Sequence, residues 1–579
     1  MRKNITVTFI SALILFYFNS CNSETRADHE KSPADSAIIA SGLTAFNHYC
    51  AGCHNFRQDG IGPRLGGITT QVSAEWFLRF IKSPQQLISS GDPRARQLFI
   101  RYKQVMPSFS YLKEEETNAI FTFLKTRTKD VQPKGTDHGK EIPNPFPAPI
   151  SFSGLVVNLR QFALIPPSSD YGKHPIARIT KLDFEPGTGE LFVVDLRGKL
   201  YKLHAADKPT LYLNMAGRRP KFIHEPGLAT GFGSFAFHPE FLKNGLFYTT
   251  HTEAPGSGKA DFSYADSIKV TLQWVLTEWK ADHPGANVFS GTSRELLRIN
   301  MVSGIHGVQE ITFNPLAKPG DEDYGLLYIG VGDGGSVENG YPFLAHSPEK
   351  VWGTILRIDP GGRNSANGKY GIPPDNPFVA RYTHSSLGEI YAYGFRNPHR
   401  ISWSASGEML ACNIGQTNIE SVDLILPGHD YGWPVREGNF VLDPGGDLNK
   451  IYPLPANDSV NGITSPVAAF DHDEGHAISG GLEYLGKAIP QLKGKYLFGD
   501  IPSGRLFYIN MADVKQGSLA PIKEWKITLN GVPGSFRDWF GDDRVDLHFG
   551  RDSHGELYLL TKSNGAVYKV VGLSAGHVK

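Results

Sequence analysis

ITFNPLAKPGDEDYGLLYIGVGD, residues 311–333, is a short apolar run, a turn built from Pro and Gly, and a second apolar run rich in Leu and Tyr. The pattern recurs as LDFEPGTGELFVVD (182–195), FAFHPEFLKNGLFYTT (235–250), ISWSASGEMLACNIG (401–415), LEYLGKAIPQLKGKYLFGD (482–500) and LHFGRDSHGELYLLT (547–561). Each copy reads as two β-strands joined by a turn. The copies stand about 55 to 90 residues apart without crossover helices, which predicts a β-propeller with long inter-strand loops. Six copies predict six blades over 151–579. A single sandwich of that length would far exceed ordinary domain size.

Composition agrees with a β-rich majority. The chain has 579 residues, 63 of them Gly and 39 Pro, with 11% aromatics. Its length calls for at least two domains. Lys and Arg (58) balance Asp and Glu (58), so no basic field exists to collect nucleic acid.

Outward from the repeats, residues 129–150 are polar and end Pro143-Asn144-Pro145-Phe146-Pro147-Ala148-Pro149, which predicts a stiff extended connector open to several domain placements. Before it, residues 36–128 carry Cys50-Ala51-Gly52-Cys53-His54. Two thiols that add across haem vinyl groups, followed by an axial histidine, need this spacing. A zinc knuckle would want a second ligand pair between 55 and 145, and none exists there. Leu43, Phe46 and Tyr49 fall at helical spacing just before the motif. A second helix is expected near 113–127, with Glu114, Glu115 and Glu116 at its positive end and Ile120, Phe123 and Leu124 as its stripe. Met106, in Val105-Met106-Pro107, is the expected sixth iron ligand, since a thioether suits haem iron. His/Met ligation favours electron transfer over peroxide chemistry. The region resembles class I cytochrome c, including Gly62-Pro63, so a small all-α domain with one covalent haem c is expected.

Arg2 and Lys3 followed by the apolar stretch Ile5–Phe18 predict a signal peptide over 1–20. Phe18-Asn19-Ser20-Cys21 resembles a lipobox, which implies lipidation of Cys21, a tether over 21–35, and a protein exported to the periplasmic or cell-surface side, held at the membrane only by its anchor. Cys412 lies in an apolar strand pattern and reads as an inert buried thiol.

Tyr393-Gly394-Phe395-Arg396-Asn397-Pro398, Tyr431-Gly432-Trp433-Pro434, Gly353–Pro360 and Gly330–Gly335 resemble the glucose/sorbosone dehydrogenases over most of 155–570. That resemblance implies a six-bladed propeller that oxidises a sugar or other alcohol with pyrroloquinoline quinone (PQQ) and calcium, and a downstream redox acceptor. It implies His306 as general base, Asp333 as its orienting carboxylate, Arg396 and Asn397 beside the quinone, and Arg505 on a quinone carboxylate. The backbone carbonyls of Gly415 and Gln416 would hold calcium, a hard ion that prefers oxygen. Two positions depart from the family pattern. Ala229 stands where sugar-oxidising members have a glutamine, and Leu485, with Lys487 two residues on, stands where a basic residue is expected. These departures leave a second reading, in which the propeller binds carbohydrate or a protein partner and the haem relays electrons for another enzyme.

Overall fold

All six strand pairs become the first two strands of four-stranded antiparallel blades. The computed structural model describes residues 33–103, 105–129, 135–169, 175–204, 208–226, 229–379, 386–458, 462–541 and 544–574. The signal peptide, Cys21 and most of the tether lie outside the described residues. The first strands are Ile179–Phe184 in blade 1, Phe232–Phe237 in blade 2, Glu310–Phe313 in blade 3, Pro398–Trp403 in blade 4, Ile478–Glu483 in blade 5 and Leu547–Arg551 in blade 6. Each touches the first strand of the next blade, and the sixth touches the first, so these strands line a closed ring.

Blades 1 to 5 each complete their sheet from contiguous sequence. Blade 6 does not: Ala566–Leu573 pairs antiparallel with Ser151–Leu164, a strand some four hundred residues earlier, and that strand closes the ring. Separate apolar clusters fill the joints between blades. Trp279, Phe237 and Tyr212 pack between blades 1 and 2, Trp352 and Leu272 between 2 and 3, and Trp525 and Tyr568 between 5 and 6. Burying each such side chain stabilises the ring by roughly 1.5–3 kcal/mol relative to exposure. Cys412 is fully buried between blades 4 and 5, and burial pushes its thiol pKa up.

Residues 33–124 form a separate helical domain of five α-helices: α1 (Pro33–Tyr49), α2 (Ala74–Lys82), α3 (Pro84–Ser89), α4 (Pro93–Tyr102) and α5 (Glu114–Leu124). The first and last cross closely at Gly42, where an added Cβ would lie 2.0 Å from the Ala119 carbonyl oxygen. Ile120, Phe123 and Leu124 are buried in that domain's core together with Phe46. At the start of α5, Glu116 accepts the Lys113 backbone N–H at 3.0 Å, which satisfies a donor the helix leaves open. Two of the three middle helices, α2 and α4, are capped by side chains: Ser73 accepts from Trp76 N, and Asp92 from Ala95 N.

The described part of the connector is extended, as its prolines require, and is strapped to the propeller. Thr136 N–H bonds Asp443 at 2.5 Å, Ile142 N–H the Ile451 carbonyl at 2.9 Å, Phe146 N–H Asp471 at 3.1 Å and Ile150 N–H Glu474 at 3.0 Å. Ile142 and Phe146 also pack on an apolar cluster with Trp433 and Leu448. Backbone donors that proline-rich sequence leaves unpaired are thus satisfied by blades 4 and 5.

Candidate active site

In a ring of such blades, one end collects the loops that precede each first strand and those that join second to third strands. His306 and Gly307 lie just before the first strand of blade 3, Arg396 and Asn397 before that of blade 4, and Asp546 before that of blade 6. Asp333 follows the second strand of blade 3, Gly415 and Gln416 that of blade 4, and Lys562 that of blade 6. Topology alone therefore brings these residues to one mouth.

His306 Nδ1 and Asp333 Oδ1 are 2.7 Å apart. Asp333, with 0% exposure, also accepts from Gly335 N–H at 2.8 Å and from Trp433 Nε1 at 3.1 Å. Burial pushes this carboxyl's pKa up, but His306, Arg396 and the Gly335 N–H outweigh it and hold the group below its ordinary value. An ionised Asp333 keeps the proton on Nδ1 and leaves Nε2 as the ring atom able to accept another. The His306 backbone is left-handed (φ 49°), which a side chain of this size rarely adopts, and the Gly334 N–H holds its carbonyl at 3.1 Å.

Arg396, 3% exposed, stacks over Trp433 at 5.7 Å and bonds Glu338 at 2.8 Å and Gln416 Oε1 at 2.8 Å. Its third contact is the Gly415 carbonyl, so one of the two expected calcium ligands already accepts from a guanidinium. A divalent cation does not fit against that positive group as it stands. Asn397 is buried beside Arg396, its backbone N–H on Asn413 at 3.0 Å.

Arg505 does not join this group. It forms a two-point pair with Glu524 (3.0 and 3.0 Å) and bonds Glu474 at 2.7 Å, a clasp that is complete without a ligand. Leu485 follows the far end of the first strand of blade 5 and packs beside Gly555, at the opposite end of the ring from His306. Its lack of charge therefore has no bearing on the mouth. The Ala229 carbonyl accepts from Gln309 at 3.3 Å.

Sequence reasoning missed the floor of the mouth. His399 and His548 belong to blades 4 and 6, which are not neighbours, yet their rings meet at 5.6 Å, so they meet across the axis. Both are buried, and His399 Nδ1 and both His548 ring nitrogens lack hydrogen-bond partners among the described residues. Orphaned polar atoms near the cations Arg544 and Lys562 fit a polyanionic group such as the carboxylate-bearing PQQ. No motif marks these residues, because their meeting depends on ring closure.

Over the mouth sits the helical domain. Asp59, five residues past His54, ties the lid down: its carboxylate accepts from Arg101 and Tyr102 (2.6 Å each) and its carbonyl from Gln416 Nε2 at 3.2 Å. His48 pairs with Glu225 at 2.6 Å, Gln58 bonds the Gly446 carbonyl at 3.0 Å, and His476 contacts the Tyr102 carbonyl at 3.0 Å. Within the motif, His54 Nδ1 lies 2.7 Å from the Pro63 carbonyl, which fixes the proton on Nδ1 and frees Nε2 for iron. The ring packs so tightly on residue 62 that an added Cβ would lie 2.4 Å from His54 Cε1. Cys50 and Cys53 are unpaired thiols, and Met106 lines the same apolar core. These residues fit a covalent haem.

Comparison with known proteins agrees with both halves of this geometry. The family described as Glucose / Sorbosone dehydrogenase matches residues 176–530. The chain belongs to the glucose/sorbosone dehydrogenase family. A cytochrome c family model matches residues 39–128, so this glucose/sorbosone dehydrogenase family member also carries a haem c domain. Among similar proteins, the HIPL1 protein of Arabidopsis thaliana is 28% identical over 387 residues, covering 59% of this chain and 53% of its own. Quinoprotein glucose dehydrogenase B of Acinetobacter calcoaceticus is 24% identical over 390 residues, covering 62% and 74%. The PQQ-bound aldose sugar dehydrogenase of Streptomyces coelicolor superposes with a TM-score of 0.47 at 19% identity, over 71% of this chain and 97% of that one. The chain thus spans about half the length of the HIPL proteins it matches.

Proposed function

We propose that this protein is a haem-linked quinoprotein dehydrogenase that oxidises a sugar or other alcohol at the propeller mouth and delivers the electrons to its own haem. The observation that carries the reading is the buried His306–Asp333 dyad lying under a docked haem motif, with Arg396 bonded through Gln416 to the Asp59 carbonyl. His306 Nε2 takes the substrate hydroxyl proton while Asp333 steadies the imidazolium that forms. Arg396 and Asn397 lie where a fixed positive charge and an amide meet developing negative charge on the acceptor. PQQ, when bound, supplies the hydride acceptor and a passage from two-electron to one-electron chemistry. Docking of the haem domain removes diffusion between donor and acceptor, because tethering gives a high effective concentration. Export and anchoring through Cys21 belong to the same proposal, supported by the Arg2-Lys3 start and the Ile5–Phe18 stretch.

The test is an anaerobic visible spectrum of the oxidised full-length protein given PQQ, with aldoses and alcohols then added in turn. A reduced c-type haem band that appears only with both PQQ and a substrate is expected. Haem that no substrate reduces in the PQQ-loaded protein overturns the proposal and leaves the propeller as a binding or docking platform.

A further inference from the structure

At the end of the ring away from His306, the far ends of the first strands enclose a second cavity, of about 410 Å³, that every blade helps to line. Its volume falls in the range of small-molecule sites, about 300–1,000 Å³. Pro186, Pro315 and Ser553 at its rim are exposed, so it opens to solvent. A buried ion triad closes its inner end. Lys181 donates to Glu310 at 2.5 Å and to the Ile311 carbonyl at 2.8 Å. Arg400 lies 3.5 Å from the other Glu310 oxygen and donates to the carbonyls of Gln309, His399 and Thr180. The triad joins blades 1, 3 and 4 across the axis and is satisfied without a ligand.

Two charges nearer the opening are not absorbed by it. Asp183 and Arg551 are neighbours, because the first strands of blades 1 and 6 pair in parallel with Leu182 opposite Gly550. Asp183 shares a strand face with Lys181 two residues earlier, and its Oδ2 lies 3.9 Å from that ammonium while Oδ1 accepts the Phe184 N–H at 2.9 Å. Arg551 is half-buried in the cavity wall, and its guanidinium makes no hydrogen bond or ion pair among the described residues. Asp183 is the charge that acts on it. The other carboxylates close by are engaged elsewhere: Glu185 holds the Gly187 and Thr188 N–H groups, Glu483 the Ala405 N–H at 2.6 Å, and Asp552 its own turn and Lys569 at 3.2 Å. Three cations, Lys181, Arg400 and Arg551, therefore share the cavity with two carboxylates, Glu310 and Asp183, and the cation without a bond is Arg551.

We infer that this far cavity binds a sugar acid, a monosaccharide-sized ring carrying one carboxylate, with Arg551 on the carboxylate and Asp183 accepting from the ring hydroxyls. A guanidinium fork matches a carboxylate at two points, and one negative charge completes the one cation that lacks a bond. Thr312 and Ser402 add hydroxyl groups to the wall, and half-buried Phe184 and Pro239 add apolar surface for the carbon skeleton. An aromatic acid would meet Arg551 equally well but would leave Asp183 facing a ring with no hydroxyl to donate. The site lies at the other end of the ring from the His306–Asp333 dyad and is independent of the dehydrogenase reading.

Calorimetric titration of the full-length, haem-loaded protein with methyl glucuronide, which has no free anomeric hydroxyl to oxidise, tests this, with methyl glucoside and benzoate as controls. Wild type is expected to bind methyl glucuronide at one site with a millimolar or tighter Kd, and both controls roughly tenfold more weakly. Arg551→Gln should weaken methyl glucuronide binding by roughly tenfold or more, because it removes a charge-assisted bond, and Arg551→Lys should keep most of it. Asp183→Asn should narrow the preference for methyl glucuronide over benzoate. Far-UV circular dichroism checks that each variant folds. Wild type that does not bind methyl glucuronide, an affinity indifferent to Arg551→Gln, or benzoate bound as tightly as methyl glucuronide overturns the inference.

Discussion

Replacing Asp333 with Asn keeps the side chain's shape and removes its charge, and the surrounding donors determine the cost. Oδ1 serves His306 and Gly335, while Oδ2 serves Trp433. If the amide oxygen takes the Oδ1 position, its NH2 faces the Trp433 Nε1–H and one bond becomes a donor–donor clash. If it takes the Oδ2 position, the NH2 faces the Gly335 N–H and forces His306 Nδ1 to accept, which moves the ring proton to Nε2. Either arrangement leaves a buried donor unsatisfied, at about 1–3 kcal/mol. The second also disables the base, and the first withdraws the charge that steadies its protonated form. Haem reduction by substrate in the PQQ-loaded protein, followed by stopped flow, is expected to slow by roughly 10²–10⁴-fold. Thermal unfolding read by tryptophan fluorescence should fall by a few degrees, at about 2–4 °C per kcal/mol or less for so large a domain. The wild-type carboxyl is held below its ordinary value, so its contribution is complete above the carboxylate range and is lost as pH falls through the lowered value. The stability gap between wild type and variant should accordingly be constant near neutrality and narrow below about pH 4. A variant with the wild-type rate, or a gap that widens in acid, refutes the assignment of Asp333.

Gly62→Ala pushes a methyl group to within 2.4 Å of the His54 ring, so the purified protein should hold less covalent haem or show an altered axial-ligand spectrum, measured by the pyridine haemochrome assay and visible absorption. Gly42→Ala sets a Cβ 2.0 Å from a backbone oxygen of α5, which only helix separation relieves; overpacking of this kind costs about 1–3 kcal/mol, and differential scanning calorimetry should show the haem-domain transition lowered. Asp443→Ala releases the Thr136 N–H and Gly445 N–H bonds of 2.5 and 2.9 Å, and limited proteolysis should then cut within 129–150 several times faster while the propeller stays intact.

Much of this architecture was legible because propeller blades repeat a local pattern. The two inner strands of a blade need alternate apolar residues and a tight turn, and all six copies carry them, from Leu182 to Thr561. Crossing helices α1 and α5 were legible for the same reason, since Phe46, Ile120 and Phe123 keep helical spacing. The helices between them were not: α2 and α4 are 9 and 10 residues long, and the caps Ser73 and Asp92 announce them more clearly than any apolar stripe. At the site, His306, Asp333 and Arg396 were reached through family resemblance, and the structure brings them together around Trp433. Arg505 shows the limit of that route, because two glutamates distant in sequence satisfy it and no local signal reveals them. His399, His548 and Lys562 lie further from reach. Their neighbours belong to blades 1, 4 and 6, and a linear pattern holds no record of which strands face each other across an axis.

The strand that seals the ring also dictates a timetable. Blade 6 waits for Ser151–Leu164 to meet Ala566–Leu573, so a growing polypeptide cannot finish its propeller until almost the whole chain has been made. The helical domain is complete some four hundred residues sooner. It can therefore fold during an interval when no mouth exists for the domain to cover. Once the ring seals, Asp59 can meet Gln416, and the order of assembly follows the order of the strands.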